Sequence, residues 1–258
     1  MLIGTYSLGR IDVARNGDSW SLRTTNIRRW HFEAQEHLQG DLQSISLDGH
    51  TFPANIGSKT TYLLSPSFTW TVSTTSAWRE TERSDDQLGD MFAILASKGP
   101  FSIVIPPDSP AYYTSIALQI SRNFYQYFGA DTEILSAIPE SLGNVILLDR
   151  PGESKSVSYS DEAVVVTDAA GRKHRYPAED GLGAIFLQPL GKGRLLLSVW
   201  GVDEEGLRLA ARLVPLRTGV GAPELVVVGK EMARTGVAGV KALGVFDSEW
   251  RVAGGSYL

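Results

Sequence analysis

A chain of 258 residues with 43% hydrophobic side chains is long enough to fill the core of one large or two small domains, which excludes a disordered chain. Its 24 lysines and arginines are outnumbered by 29 aspartates and glutamates, and they form no basic run. The cationic face that gives nucleic-acid binders most of their affinity is therefore missing. With no cysteine, disulfides, thiolate metal sites, iron–sulfur clusters and cysteine nucleophiles are all excluded together.

The first nine residues are too short and too polar for a signal peptide, and no apolar stretch approaches the roughly 18 residues needed to cross a bilayer. No asparagine begins a glycosylation acceptor. From Leu2 to about Trp78 the pattern is one of short strands separated by turns. Ile11 and Val13 alternate up to Asn16-Gly17-Asp18, Trp20 and Leu22 alternate beyond it, and Leu42 to Leu47 leads into Asp48-Gly49. Thr60 to Leu64 and Phe68 to Val72 add two further β-branched and aromatic runs. The expectation for residues 1–80 is a β-rich, sandwich-like module.

A charged stretch from Arg79 to Asp90 marks the boundary, and residues 81–258 read as a three-layer α/β domain. Phe101 to Ile105, flanked by prolines, predicts a strand buried on both faces. A helix follows, with Ser109 as its cap, Pro110 at its first position and Gly129 closing it. Tyr113, Ile116, Ala117, Ile120, Phe124 and Tyr127 form one apolar stripe along it. Thr132 to Leu135 and Val145 to Asp149 continue the strand and helix rhythm of a mostly parallel, flavodoxin-like, doubly wound sheet. Into it two hairpins are expected to be inserted, 163–176 around Asp168-Ala169-Ala170-Gly171 and 184–200 around Gly191-Lys192-Gly193. Asp203 caps another helix, Leu225 to Val228 closes the sheet, and the glycine-rich tail covers an edge.

No motif supplies a complete chemistry. Gly-x-Ser-x-Gly, the strand-to-helix turn that exposes a hydrolase serine, is absent. Ser109 is the nearest equivalent and reads as a cap. His174 falls on a hairpin arm, and His31, His37 and His50 fall in the β-rich half. His31, Glu33, Glu36 and His37 lack a spacing that puts ligands on one face, so no metal is expected. The glycine pairs 181/183, 191/193 and 219/221 lack the third glycine of a dinucleotide loop, and Gly229-Lys230 lacks the phosphate-loop context, so no cofactor is expected either. What remains is position. In an open parallel sheet ligands gather at the carboxyl ends of the strands, and those ends carry Asp108, Ser109, Asp149, Arg150, Gly201 and Asp203 as the candidate crevice.

Several segments carry a resemblance: Gln87-Leu88-Gly89, then Gly99 to Val104, Ser115 to Leu118 and Asn123 to Phe128. Gly183 to Leu187, Val199 to Asp203, Leu207 to Pro215 and Gly244 to Asp247 with Trp250 follow in the same order. This order resembles the C-terminal region of large fungal proteins of the prolyl-oligopeptidase-like α/β-hydrolase group. Thr25 to Arg29 and Leu47 to Gly49 resemble the β-rich segment that follows their hydrolase domain. The matching motifs are turns, buried strands and caps. The resemblance implies that nucleophile and base lie in a separate upstream domain, that no catalytic residue is carried here, and that the partner is a hydrolase domain or chain. It also implies an extracellular location. The expected function is that of a non-catalytic accessory region. The alternatives are a small-molecule binder or ester or peptide hydrolase using the crevice, and a carbohydrate-binding module built on Trp20, Trp30, Trp70 and Trp78.

Overall fold

The computed structural model describes residues 9–31, 42–54, 60–65, 67–73, 78–152, 154–160, 162–191, 193–216 and 221–258. They divide into two compact units, Met1–Thr81 and Glu82–Leu258.

In the first unit β1 (Arg10–Asn16) and β2 (Ser19–Thr25) form an antiparallel hairpin that turns at Gly17, where φ is 61°. β3 (Arg29–His31) precedes a second hairpin, β4 (Ser44–Leu47) and β5 (His50–Pro53). Its two turn residues, Asp48 and Gly49, both have positive φ, the geometry whose twist matches paired strands. β6 (Thr61–Leu64) and β7 (Trp70–Ser73) follow, then the single turn α1 (Trp78–Thr81). The strands order as β1-β2-β4-β5 and β3-β6-β7. The two sheets share one core, to which the first contributes Leu22, Ile45 and Leu47 and the second Tyr62 and Trp70. The Asp48 carboxylate accepts from the Thr24 N–H at 2.8 Å, the Thr24 hydroxyl at 2.6 Å and the Trp70 indole N–H at 3.0 Å, which ties the turn to this core. Burial pushes the Asp48 carboxyl up, but these hydrogen bonds, aided by nearby His50, outweigh it and leave the group below its ordinary value.

The second unit contains β8 (Phe101–Val104), α2 (Ala111–Phe128), β9 (Thr132–Leu135), β10 (Val145–Leu147), β11 (Val157–Tyr159), β12 (Ala163–Thr167) and β13 (Lys173–Pro177). After these come β14 (Gly183–Leu190), β15 (Arg194–Gly201), α3 (Glu204–Ala211), β16 (Leu225–Val228), the short α4 (Met232–Thr235) and β17 (Val240–Gly244). Its main sheet has the order β17-β16-β14-β15-β10-β8-β9.

That order overturns the flavodoxin-like expectation. Only the pairs β9-β8, β8-β10 and β10-β15 are parallel, while β15-β14, β14-β16 and β16-β17 pair antiparallel, so the sheet is mixed. The physical reason is that Gly183–Leu190 and Arg194–Gly201 are long enough to pair along eight positions as central strands. The hairpin is half of the sheet's core, not an insertion into a wound order. The other expected hairpin, β12 with β13, forms but joins β11 in a separate three-stranded sheet. Val157, Val164 and Val166 of that sheet pack with Ala184, Phe186, Trp200 and Val227, so strands cover a face where a doubly wound fold would place helices. The helices α2 and α3 bury their apolar residues in a different cluster, with Ile103, Ile146, Ile185 and Leu197. Leu225–Val228 is not the last strand. β17 lies beyond it at the sheet's edge, and its Leu243 exchanges backbone hydrogen bonds of 2.8 Å in both directions with Tyr257. No helix of the described residues is long and apolar enough to cross a membrane.

Candidate functional site

The parallel strands β8, β10 and β15 bring the loops after their carboxyl ends to the same edge of the main sheet, so the six candidate residues share one rim. Their environments differ. After β8 the chain turns through two prolines to Asp108, which is exposed and holds a left-handed φ of 55°, and the Ser109 N–H donates to the Pro106 carbonyl at 3.3 Å. Ser109 is not the helix cap. Pro110 has ψ of 151°, outside the helical range, so α2 starts one residue later with Pro110 in the cap position and no side-chain acceptor there. At the other end Gly129 closes the helix in the left-handed conformation, its N–H directed to the carbonyls of Phe124 and Tyr125.

Ser109 has no imidazole hydrogen-bonded to it among the described residues. His174 lies on β13, where its Nε2 is 3.5 Å from Asp168. Of the four residues weighed as a metal cluster only His31 is described; Glu33, Glu36 and His37 lie outside the described residues. Among those described, no group of three or more His, Asp or Glu is placed to hold a metal.

At the end of β15 the rim residues serve the packing of α3. A Cβ on Gly201 would lie 2.0 Å from the Leu207 nitrogen, one on Gly206 2.1 Å from the Leu182 carbonyl oxygen, and one on Gly183 2.3 Å from the Gly206 carbonyl oxygen. Glycine at these three positions lets the helix rest directly on the backbones of β14 and β15. Asp203 caps the helix by accepting the Gly206 N–H at 2.7 Å, and its other oxygen accepts the Gly181 N–H at 2.9 Å. The Gly206 and Gly181 amides are thus taken up by this chain's own carboxylate.

Asp149 and Arg150 stand in the richest environment of the rim. The Asp149 carboxylate accepts the Arg150 N–H at 2.7 Å and its carbonyl accepts the Ser198 hydroxyl at 2.9 Å. The Arg150 guanidinium lies 5.1 Å from the centre of the Trp200 ring and 5.9 Å from that of Tyr159, and the two rings meet edge to face at 4.8 Å. Burial pushes the Tyr159 phenol well up, with the Ser198 hydroxyl and the Arg150 charge offsetting part of that. Tyr113, stacked on Tyr112 at 4.9 Å, is pushed up to about 12, first by burial and then by Tyr112 and Asp149. Sequence reasoning reached Asp149 and Arg150 but missed Tyr159, Ser198 and Trp200. The available signal was Ser198 and Trp200 two apart on one strand, hence on one face. Tyr159 gave none, since Val157–Tyr159 is too short to show a period.

The tryptophans proposed for sugar stacking are engaged within the first unit. Trp70 is buried and donates to Asp48, Trp30 stacks on Tyr62 at 4.8 Å, Arg15 covers Trp20 at 4.6 Å and Arg29 covers Trp78 at 4.4 Å. Two clefts of the second unit, one between α2 and α3 and one beside Trp250, take none of the six rim residues into their walls.

No family model matches the sequence. The chain is similar to a protein of Arthroderma benhamiae named "uncharacterized secreted protein", with 34% identity over 270 residues that cover 97% of this chain and 29% of that protein. The chain thus spans less than a third of the length of the curated relative it matches.

Proposed function

We propose that this chain is a non-catalytic accessory region of an extracellular, prolyl-oligopeptidase-like hydrolase, packing on a catalytic domain or presenting substrate to it. The observation that carries this reading is the alignment of nearly the whole chain with a minor part of a longer protein named as secreted. Such a match is what a region working beside other domains leaves behind. The rim chemistry supports the same reading. Gly201 and Asp203 are spent on seating α3, and Asp149 and Arg150 are engaged with Ser198, Tyr159 and Trp200. On α2, Leu118 and Tyr125 are exposed two turns apart, an apolar pair suited to contact with another protein surface.

The purified chain and its Ser109→Ala variant, assayed against short acyl esters and peptide amides, are expected to show no turnover that depends on the serine. Turnover abolished by Ser109→Ala would overturn the proposal.

A further inference from the structure

A half-open groove of about 390 Å³ lies between α2 and the end of α3 in the second unit. Its size is within the range of small-ligand sites. The floor is apolar: Ile116 and Ile120 come from α2, Val214 and Leu216 from the segment after α3, and the first three are almost fully buried. The upper wall is polar along one side, where the Gln119 amide donates to the Asn123 side chain at 3.1 Å. The opposite wall carries two arginines one turn apart. Arg208 is held by Glu204 at 2.8 Å, whereas the Arg212 guanidinium has neither ion pair nor hydrogen bond among the described residues. No carboxylate among the described residues lines the groove. An apolar trough flanked by an arginine that forms no ion pair among the described residues is complementary to a molecule with a hydrocarbon body and an anionic end.

We infer that this groove binds a medium-chain carboxylate, its alkyl chain lying on Ile116, Ile120 and Val214 and its carboxylate on Arg212, with Arg208 as the second positive group. From Ser115 to Asn123 the α2 wall runs about 12 Å, the length of an extended acyl chain of moderate size. The site is independent of the accessory reading, since it uses no residue of the rim. Guanidinium is the better partner for carboxylate because its paired donors match the two oxygens.

The test is calorimetric titration of the whole chain with decanoate, with decanol as the neutral comparator, for the wild type, Arg212→Gln and Arg122→Gln. Arg122 lies on α2 outside the groove and controls for loss of surface charge. The inference expects decanoate to bind the wild type and Arg122→Gln alike, decanol to bind at least tenfold more weakly, and Arg212→Gln to lose about tenfold or more in decanoate affinity. Circular dichroism of each variant establishes that the exposed substitutions leave the fold intact. Failure of decanoate to bind the wild type at millimolar concentration overturns the inference, as does equal binding of decanol or undiminished binding by Arg212→Gln.

Discussion

Arg83 and Glu224, 141 positions apart, form an ion pair of 2.5 Å with their side chains only 6% and 5% exposed. The arginine also lies over the Trp250 ring at 4.1 Å, and the second carboxylate oxygen accepts the Phe246 N–H at 2.6 Å. One pair thus joins the start of the second unit, the strand β16 and the segment after β17. Glu224→Ala leaves the guanidinium buried without its counter-charge and is expected to destabilise the second unit by about 3–5 kcal/mol in denaturant unfolding. Replacing both partners with apolar residues of similar volume should cost clearly less than the sum of the single changes.

The docking of α3 gives a steric prediction. Gly201→Ala forces a Cβ against the Leu207 nitrogen, where only backbone can move, and should cost roughly 2–4 kcal/mol. Asp203→Ala removes two hydrogen bonds without a clash and should cost about 1–2 kcal/mol in the same measurement.

In the first unit the Asp48 hub is testable through its partners. Trp70→Phe keeps an aromatic ring but removes both the donor to Asp48 and part of the buried indole volume, and should lower stability by about 1–3 kcal/mol. Thr24→Val, which removes the 2.6 Å hydroxyl contact, should have an effect of the same order, and the double variant should be less than additive because both bonds end on one carboxylate.

Two groups set opposite ends of the pH range. Asp168 is held down to about 2, first by the Arg172 N–H, against burial, with the Arg172 guanidinium and His174 adding to the effect. A carboxyl depressed in the folded state stabilises above its unfolded value, so this contribution is full above about pH 4 and is lost as pH falls toward 2. Melting temperatures between these pH values should fall less steeply in Asp168→Asn than in the wild type. Tyr113 is the reverse case: a phenol raised in the folded state stabilises below its unfolded value, near 10, and that contribution is lost as pH rises toward about 12. Tyr113→Phe should flatten the alkaline decline, and Asp149→Asn should shift the phenol's ultraviolet titration downward.

Local chemistry was readable in the amino-acid order, and long-range pairing was not. Asp48-Gly49 and Gly129 announce a turn and a helix end because positive φ is a property of the residues themselves. Asp203 is readable as a cap because a short carboxylate just before a helix can accept one of its free amides. Leu225–Val228, by contrast, is apolar at every position, and an all-apolar run says only that both faces are covered. Here α3 and the sheet containing β12 supply the two covers, and nothing in the run distinguishes that from a parallel strand between helices. The rim suffered likewise. Gly201 was marked for its place at a strand end, but its purpose becomes visible only when Leu207 is seated against it.

The backbone bonds between Leu243 and Tyr257 have a further effect. Without them the outer side of β17 would offer an open ladder of amides and carbonyls to any extended chain it met, the usual seed of edge-to-edge aggregation. Tyr257 therefore acts as a selvedge at one point of the large sheet. Where Leu243 stays paired with Tyr257, an incoming strand is denied that position of the margin and the continuous register it would need to add on.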